Sequence, residues 1–390
     1  MALDPQSHPE TILQHWGEEN KPEGAVVPPI FQNSLFVFED TWSFQNSFSL
    51  EDPTQRKHNY SRVSNPTLEI AEEKIAALEK TEAAKVFGSG MAAISAAIMS
   101  SVAQGSHVVC VDTAYGPTKQ FIQDYLPKFG VRHTYVEGSC TEEILDACLP
   151  ETSLIYLESP SSLLFKFQDF RRVTQFAQEK GITTVTDNSY CSPYFQNPAE
   201  MGVDMVVHSA TKYLGGHSDV VAGALACSHE RMTKLLMNEI SLLGGGMAPF
   251  PAWLLIRGMR TLALRMRYAE SAGHRMAAWL GSRSEVARVF HAGDADHPQR
   301  ELATSQMRGS SSLLSFEPVC QEEAKIRAFA DALHLFQLGV SWGGFESLCV
   351  PIPMQPMGWN EPRWIIRLYV GLENPEDLEA DLSQAFEHLR

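Results

Sequence analysis

The chain contains no C-x-x-C pair and no H-E-x-x-H stretch. Its 7 cysteines, Cys110, Cys140, Cys148, Cys191, Cys227, Cys320 and Cys349, are scattered and odd in number, which argues against a zinc knuckle or a redox pair. Most lie in apolar runs, as Cys110 does in Val108-Val109-Cys110-Val111, so buried free thiols are expected and no metal site is. Basic side chains are also scarce: 31 Lys and Arg face 47 Asp and Glu, a formal net charge of −16. Such a chain has no overall field to attract DNA or RNA, and no nucleic-acid partner is expected. No apolar run approaches the ~20 residues of a membrane-spanning helix, so no membrane partner is expected either. The stretch Met1-Ala2-Leu3-Asp4-Pro5 lacks a basic n-region and an apolar h-region, which makes a cytoplasmic location the expectation. What the chain does have is an ordinary globular composition, 44% hydrophobic and 20% charged over 390 residues. That is enough to build a large core and to exclude wholesale disorder.

Three regions are expected: an irregular arm over 1–60, a large domain over 61–255 and a smaller one over 256–390. The arm carries Pro22, Pro28, Pro29 and Pro53 without a sustained helical period, so it must be pinned to something else, such as a second subunit, or be mobile. At Asn65-Pro66 the texture changes. Asn65 is a plausible N-cap, Pro66 suits the first helical position, and Leu68, Ala71, Ile75 and Leu78 recur on one helical face. Strand-like runs at 85–87, 107–111, 153–158, 183–187, 205–209 and 223–227 then alternate with helical stretches such as 91–103 and 169–180. The alternation predicts an α/β fold, a mostly parallel central sheet covered by helices. Ligands of such sheets bind beyond the carboxyl ends of the strands. A long helical stretch over about 251–282 follows. Strand-like runs at 311–316, 339–342 and 364–370 and a capped helix near Asn374-Pro375-Glu376 then predict a smaller C-terminal α+β domain.

Chemistry is expected just after those strands. Gly88-Ser89-Gly90-Met91-Ala92-Ala93 follows a strand and opens a helix, so its glycines let backbone N–H groups approach a phosphate. The same run fits G-x-G-x-x-A, and Asp112 ends the next strand, which raises an NAD-dependent oxidoreductase as a distant alternative. Against it, about eighty residues precede the motif and the later motifs have no role. Asp187-Asn188 ends an apolar strand, a position for a site residue or for a simple turn. The most specific run is Ser209-Ala210-Thr211-Lys212-Tyr213-Leu214-Gly215-Gly216. Its hydroxyls can bind phosphate oxygens while Lys212 reaches a carbonyl, and a lysine amine can form a Schiff base with pyridoxal phosphate (PLP). Asp187 would then pair with the pyridinium N–H.

Taken together, Tyr60-Ser61-Arg62, Ser89-Gly90-Met91, Tyr115-Gly116-Pro117-Thr118, Asp187-Asn188 and Ser209-Ala210-Thr211-Lys212 resemble the Cys/Met-metabolism family of PLP-dependent enzymes, which includes cystathionine β-lyase and γ-lyase, cystathionine γ-synthase and methionine γ-lyase. The resemblance runs from about Gly24 to Arg390. It implies PLP fold type I, with the cofactor in the 61–255 domain, and a homotetramer made of active dimers. By motif, it implies that Lys212 is the Schiff-base lysine and Asp187 the partner of the pyridine nitrogen. It gives the phosphate to the Gly90 and Met91 amides and the Ser209 and Thr211 hydroxyls. Tyr60 and Arg62 would reach the phosphate of the neighbouring subunit, and Tyr115 would stack on the cofactor and exchange a proton with substrate. Arg367, in Ile365-Ile366-Arg367-Leu368, would grip the α-carboxylate of a small amino-acid substrate beside Ser341.

Within the family the chain is a mosaic. Ser341-Trp342, Glu158-Ser159-Pro160-Ser161-Ser162 and Tyr115-Gly116-Pro117 resemble the β-lyase version. Pro28-Pro29-Ile30-Phe31-Gln32, the run from Tyr60 to Thr67 and Ser89-Gly90-Met91 are written in γ-type style. Val340 stands where enzymes handling cystathionine's distal end often carry Glu, and Asn188-Ser189-Tyr190 departs from the usual Asn-Thr-aromatic. The resemblance thus implies a PLP-dependent carbon–sulfur lyase, with α,β-elimination of a thioether such as cystathionine as the first expectation. γ-Elimination or γ-replacement is the alternative.

Overall fold

The computed structural model describes residues 4, 7–47 and 58–390; Pro53 and most of Met1–Pro5 lie outside them. The helix Pro66–Glu79 shows how local sequence sets an element. The Asn65 side chain accepts from the Thr67 N–H, Pro66 occupies the first turn, and Lys80 ends the helix in the left-handed region at φ 60°. Leu68, Ala71, Ile75 and Leu78 are all buried, as their spacing predicts.

The large sheet has seven strands: β1 (Ala83–Phe87), β2 (His107–Val111), β3 (Arg132–Val136), β4 (Thr152–Glu158), β5 (Thr183–Asp187), β6 (Met205–His208) and β7 (Gly223–Cys227). Their order is β1-β7-β6-β5-β4-β2-β3. All neighbours are parallel except β7, which runs antiparallel to both β1 and β6. Strands β2 and β4 to β6 are almost wholly buried, because helices cover both faces. This is why β2, β4 and β6 carry near-continuous apolar runs, while β5 reads as a strand through its β-branched threonines and valine. Strand β3, Arg-His-Thr-Tyr-Val, lies at the sheet edge and is half exposed; its polar composition hid it from the strand pattern.

The second sheet has β8 (Val286–Phe290), β9 (Leu313–Pro318), β10 (Gln337–Leu338), β11 (Leu348–Met354) and β12 (Arg363–Tyr369), in the order β10-β11-β12-β9-β8. It is antiparallel apart from the short β10–β11 pair. Phe316, Phe329 and Phe386 pack beneath it in a core of their own. Three expectations are corrected here. Residues 339–342 form an irregular turn rather than a strand, with Ser341 at φ 81°. The stretch 251–282 is two helices, Pro249–Met259 and Leu262–Gly281, parted where Thr261 leaves helical geometry at φ −101°, ψ 3°. The helix expected over 91–103 stops at Met99.

The arm is less irregular than its prolines suggest. A short helix, Pro9–His15, buries Ile12 and Leu13 in the main core, an anchor too short to show a period. Just beyond it, Glu18 pairs with buried Lys74 at 3.0 Å and with Arg260 at 2.7 Å. Val26, Val37 and Trp42 remain exposed. All seven cysteines are free, and Cys110, Cys191, Cys227 and Cys349 are buried. Among the described residues no helix is long and apolar enough to cross a membrane.

Candidate active site

Three parallel strands end side by side in Glu158, Asp187 and His208. Asp187 is buried, and its Oδ1 accepts from the Ser189 N–H at 2.9 Å. Burial pushes its carboxyl up, while hydrogen bonds from Ser189 and the nearby charges of His208 and Lys212 pull it down. After β6 the chain makes a tight turn: the Lys212 N–H donates to Ser209 O at 3.0 Å and the Gly216 N–H to Lys212 O at 2.8 Å. Gly216 sits at φ 71°, and a Cβ there would fall 2.1 Å from Arg265 Nη1. That arginine is needed in place, because it donates to Tyr213 O at 2.7 Å and Gly258 O at 2.8 Å. The turn aims Lys212 at the small domain, where its ammonium donates to Ser341 Oγ and lies 5.6 Å from the centre of the Trp342 ring. Burial and then the Arg367 charge lower the Lys212 amine to about 8, with Asp187 opposing. A sizeable neutral fraction is thus available near physiological pH.

Beside this turn, Ser89 caps the helix Gly90–Met99 by accepting from the Ala92 N–H at 3.1 Å. The N–H groups of Gly90 and Met91 make no hydrogen bond among the described residues, as expected in a first helical turn. A Cβ on Gly90 would lie 2.9 Å from the Cβ of Ser209, so glycine lets the two segments meet. The structure therefore joins Gly90, Met91 and Ser209 in one cradle at a helix N-terminus, where an anion is favoured. Thr211 stands differently: its hydroxyl donates to Ala222 O at 3.1 Å and accepts from the Ala222 N–H at 2.9 Å. Free amides, a buried carboxylate and a desolvated amine are together the donor set that the phosphate, ring nitrogen and aldehyde of PLP require.

Tyr115 opens the short helix Gly116–Gln120, and its N–H donates to Glu158 Oε2 at 2.7 Å. Its phenol is raised by burial and by the neighbouring carboxyl groups of Asp187 and Glu158, with Arg367 opposing, so these groups share one field. Arg367 comes from the middle of β12, opposite Ser315 on β9 and Val350 on β11. Its Nη2 donates to Ser341 O at 3.0 Å. Ser341 thus touches Lys212 with its hydroxyl and Arg367 with its carbonyl. Tyr60 and Arg62 are not brought to this cluster. Tyr60 pairs with Leu35 across a β-bridge, and Arg62 lies 5.4 Å over the Tyr60 ring and donates to Ser241 O.

Sequence reasoning gave no role to Glu158, or to Glu79 behind it. Glu79 Oε1 accepts from His208 Nε2 at 2.5 Å and from Asn188 Nδ2 at 2.8 Å, all three side chains being buried. An acidic residue closing an apolar strand was the available signal for Glu158; the Glu79–His208 contact spans the fold and left none. The dinucleotide alternative fails on geometry. Strand β1 sits at the sheet edge, antiparallel to β7, and Asp112 is committed to Lys119 at 2.8 Å and to the Met357 N–H at 2.7 Å.

Comparison with known proteins shows the family. The family model described as Cys/Met metabolism PLP-dependent enzyme matches residues 10–387. Cystathionine gamma-lyase of Bacillus subtilis (strain 168) is 35% identical, over 97% of this chain and 99% of that protein. Cystathionine beta-lyase MetC of the same organism is 37% identical, over 94% of this chain and 93% of that protein. A crystal structure from Campylobacter jejuni, described as an O-acetylhomoserine (thiol)-lyase and holding a pyridoxyl-lysine monophosphate, superposes with a TM-score of 0.90. It is 26% identical and is matched over 97% of this chain and 100% of that one.

Proposed function

We propose that this chain, which belongs to the Cys/Met-metabolism family of PLP-dependent enzymes, is a carbon–sulfur lyase catalysing α,β-elimination from an L-amino acid thioether such as cystathionine, with homocysteine, pyruvate and ammonia as products. The observation that supports β over γ chemistry is the wall formed by Ser341 and Trp342 around Lys212. Trp342 is itself tilted against Tyr213 at 5.4 Å. γ-Elimination needs an additional proton removed from Cβ, and so a base free to travel along the substrate. Lys212 could serve as that base too, so the preference for β rests on the β-lyase likeness of Ser341-Trp342 at this wall.

When bound, PLP supplies an electron sink for the pair left at the substrate Cα. The chain's residues do the rest. Gly90, Met91 and Ser209, with Thr211 after rotation from Ala222, hold the phosphate, and Asp187 keeps a proton on the ring nitrogen. Arg367 would grip the α-carboxylate through a planar fork and so fix the orientation of the substrate Cα. Tyr115 Oη accepts a proton from the substrate amine. Lys212 Nζ removes the Cα proton as general base and returns a proton to the departing sulfur. In this reading residues 61–255 hold the cofactor, residues 256–390 grip the carboxylate, and the site is shared. Tyr60 and Arg62 serve the neighbouring subunit of an active dimer, two of which form a cytoplasmic homotetramer. The exposed apolar side chains of the arm and of Leu242 and Leu243, beside Ser241, support such an interface.

γ-Elimination or γ-replacement is the second reading, favoured by Val340. Its side chain is 84% exposed at the edge of the 341–342 turn, leaving room for a different leaving group. Steady-state assays with L-cystathionine separate the two. Pyruvate with homocysteine is expected; 2-oxobutyrate with cysteine would replace the β assignment.

A further inference from the structure

Glu158 has no place in the chemistry above, yet it lies at the centre of the site. Strands β4 and β5 pair so that Glu158 faces Asp187, at the last rung of both strands. Their side chains are 7% and 8% exposed. Neighbouring strands lie about 4.8 Å apart, and the buried Asp187 carboxylate makes its neighbour Glu158 harder to ionise. The surroundings decide which one keeps its charge. Asp187 has the Ser189 N–H and, beside it, Lys212 and His208, which favour its charged form. Glu158 has no ion pair among the described residues. Its Oε2 accepts from the Tyr115 N–H at 2.7 Å and its Oε1 accepts from Ser162 Oγ at 2.5 Å. The other titratable groups that share its field are Tyr115, Tyr156 on its own strand, and Cys110 on β2, all neutral acids. Burial and then the Asp187 charge push its carboxyl well above the ordinary carboxylate range, outweighing the hydrogen bonds from Ser162 and Tyr115 that pull it down.

We propose that Glu158 is a positioning residue held as the neutral acid, fixing Tyr115 and Ser162 around the cofactor while Asp187 carries the charge. As an acid it donates its proton to Ser162 Oγ, so the Ser162 hydrogen becomes available to another acceptor. It keeps Oε2 for the Tyr115 N–H, whose helix has no side-chain cap of its own. The loops after β2 and β4 are joined again by Thr113 Oγ1 to Ser161 Oγ at 2.7 Å and by the Ser162 N–H to Thr113 O at 3.0 Å. The acid therefore sits inside a stitched pair of loops and not at a free edge.

This inference rests on the PLP reading, and the test separates the two. In the holoenzyme, Glu158→Gln keeps an acceptor for Tyr115 and a donor for Ser162. Its kcat/KM and its PLP dissociation constant by dialysis should match wild type at pH 6–7. Both ratios should depart from one only at alkaline pH, where wild-type Glu158 ionises and glutamine cannot. Glu158→Ala, which frees Tyr115, should lower kcat by roughly 10–100-fold, the usual cost of an orphaned buried partner. A Glu158→Gln enzyme already impaired at pH 6–7, with a pH-independent deficit, overturns the proposal, as does a Glu158→Ala enzyme matching wild type in both constants. A wild-type protein without the visible absorption of bound PLP overturns instead the reading on which it rests.

Discussion

The site is assembled from two sheets of opposite construction. The large parallel sheet delivers its residues at strand ends, where Glu158, Asp187 and His208 close three adjacent strands and Lys212 follows in the next turn. The small antiparallel sheet delivers Arg367 from mid-strand and Ser341 from a turn at φ 81°. Parallel strands line up their carboxyl ends, so one edge concentrates polar groups without cutting into the core. An antiparallel sheet has no such edge and offers a face. The difference suggests a division of labour: the first sheet runs the chemistry, and the second holds the substrate.

Four substitutions test that division. Lys212→Ala should abolish nearly all turnover and leave no lysine at this position for borohydride to fix, as read by peptide mapping; a labelled lysine elsewhere refutes the assignment. Asp187→Ala should cost orders of magnitude in kcat while PLP stays bound through its phosphate; a kcat within about threefold of wild type refutes its role. Arg367→Lys, on the other sheet, should lower kcat/KM by roughly 10–100-fold, mainly through KM, since a point charge replaces a bidentate fork. If kcat falls as far as in the Asp187 variant, the division of labour is wrong. The smallest effect concerns stability. Because Lys212 binds its proton less tightly when folded, at about 8 against 10.5 for the ordinary amine, the folded state carries fewer protons between those values. Stability of the cofactor-free protein therefore rises with pH across that window. Lys212→Met should melt higher than wild type below pH 8, and the gap should close as pH approaches 10.5.

The same contrast explains what could be read from the sequence. Strands β2 and β4 to β6 were legible because both faces are buried, and Lys212 and Asp187 because a polar motif follows each apolar run at once. Strands β8 and β11 were not, since one side of each is open to solvent or broken by proline, as in Leu348-Cys349-Val350-Pro351. Arg367 emerged only through likeness to a family, because a charged residue amid Ile365, Ile366 and Leu368 has no local signature. Glu158 was visible as a letter in a motif but not as a partner. Its importance comes from pairing with a strand about thirty positions away in sequence.

The ion pair between Glu18 and Lys74 bears on how the chain tolerates trimming. Lys74 is fully buried, burial lowers its amine, and Glu18 is the carboxylate that keeps it charged. A protease that removed the first eighteen residues would therefore strand a cation in the core and release Arg260 from its partner at the same moment. Breaking a buried pair from one side typically costs about 3–5 kcal/mol. The injury would start in the helix Pro66–Glu79, whose last residue holds His208 and Asn188 behind the site. A cut ahead of Lys74 would thus be felt at the strand ends that carry Glu158, Asp187 and His208.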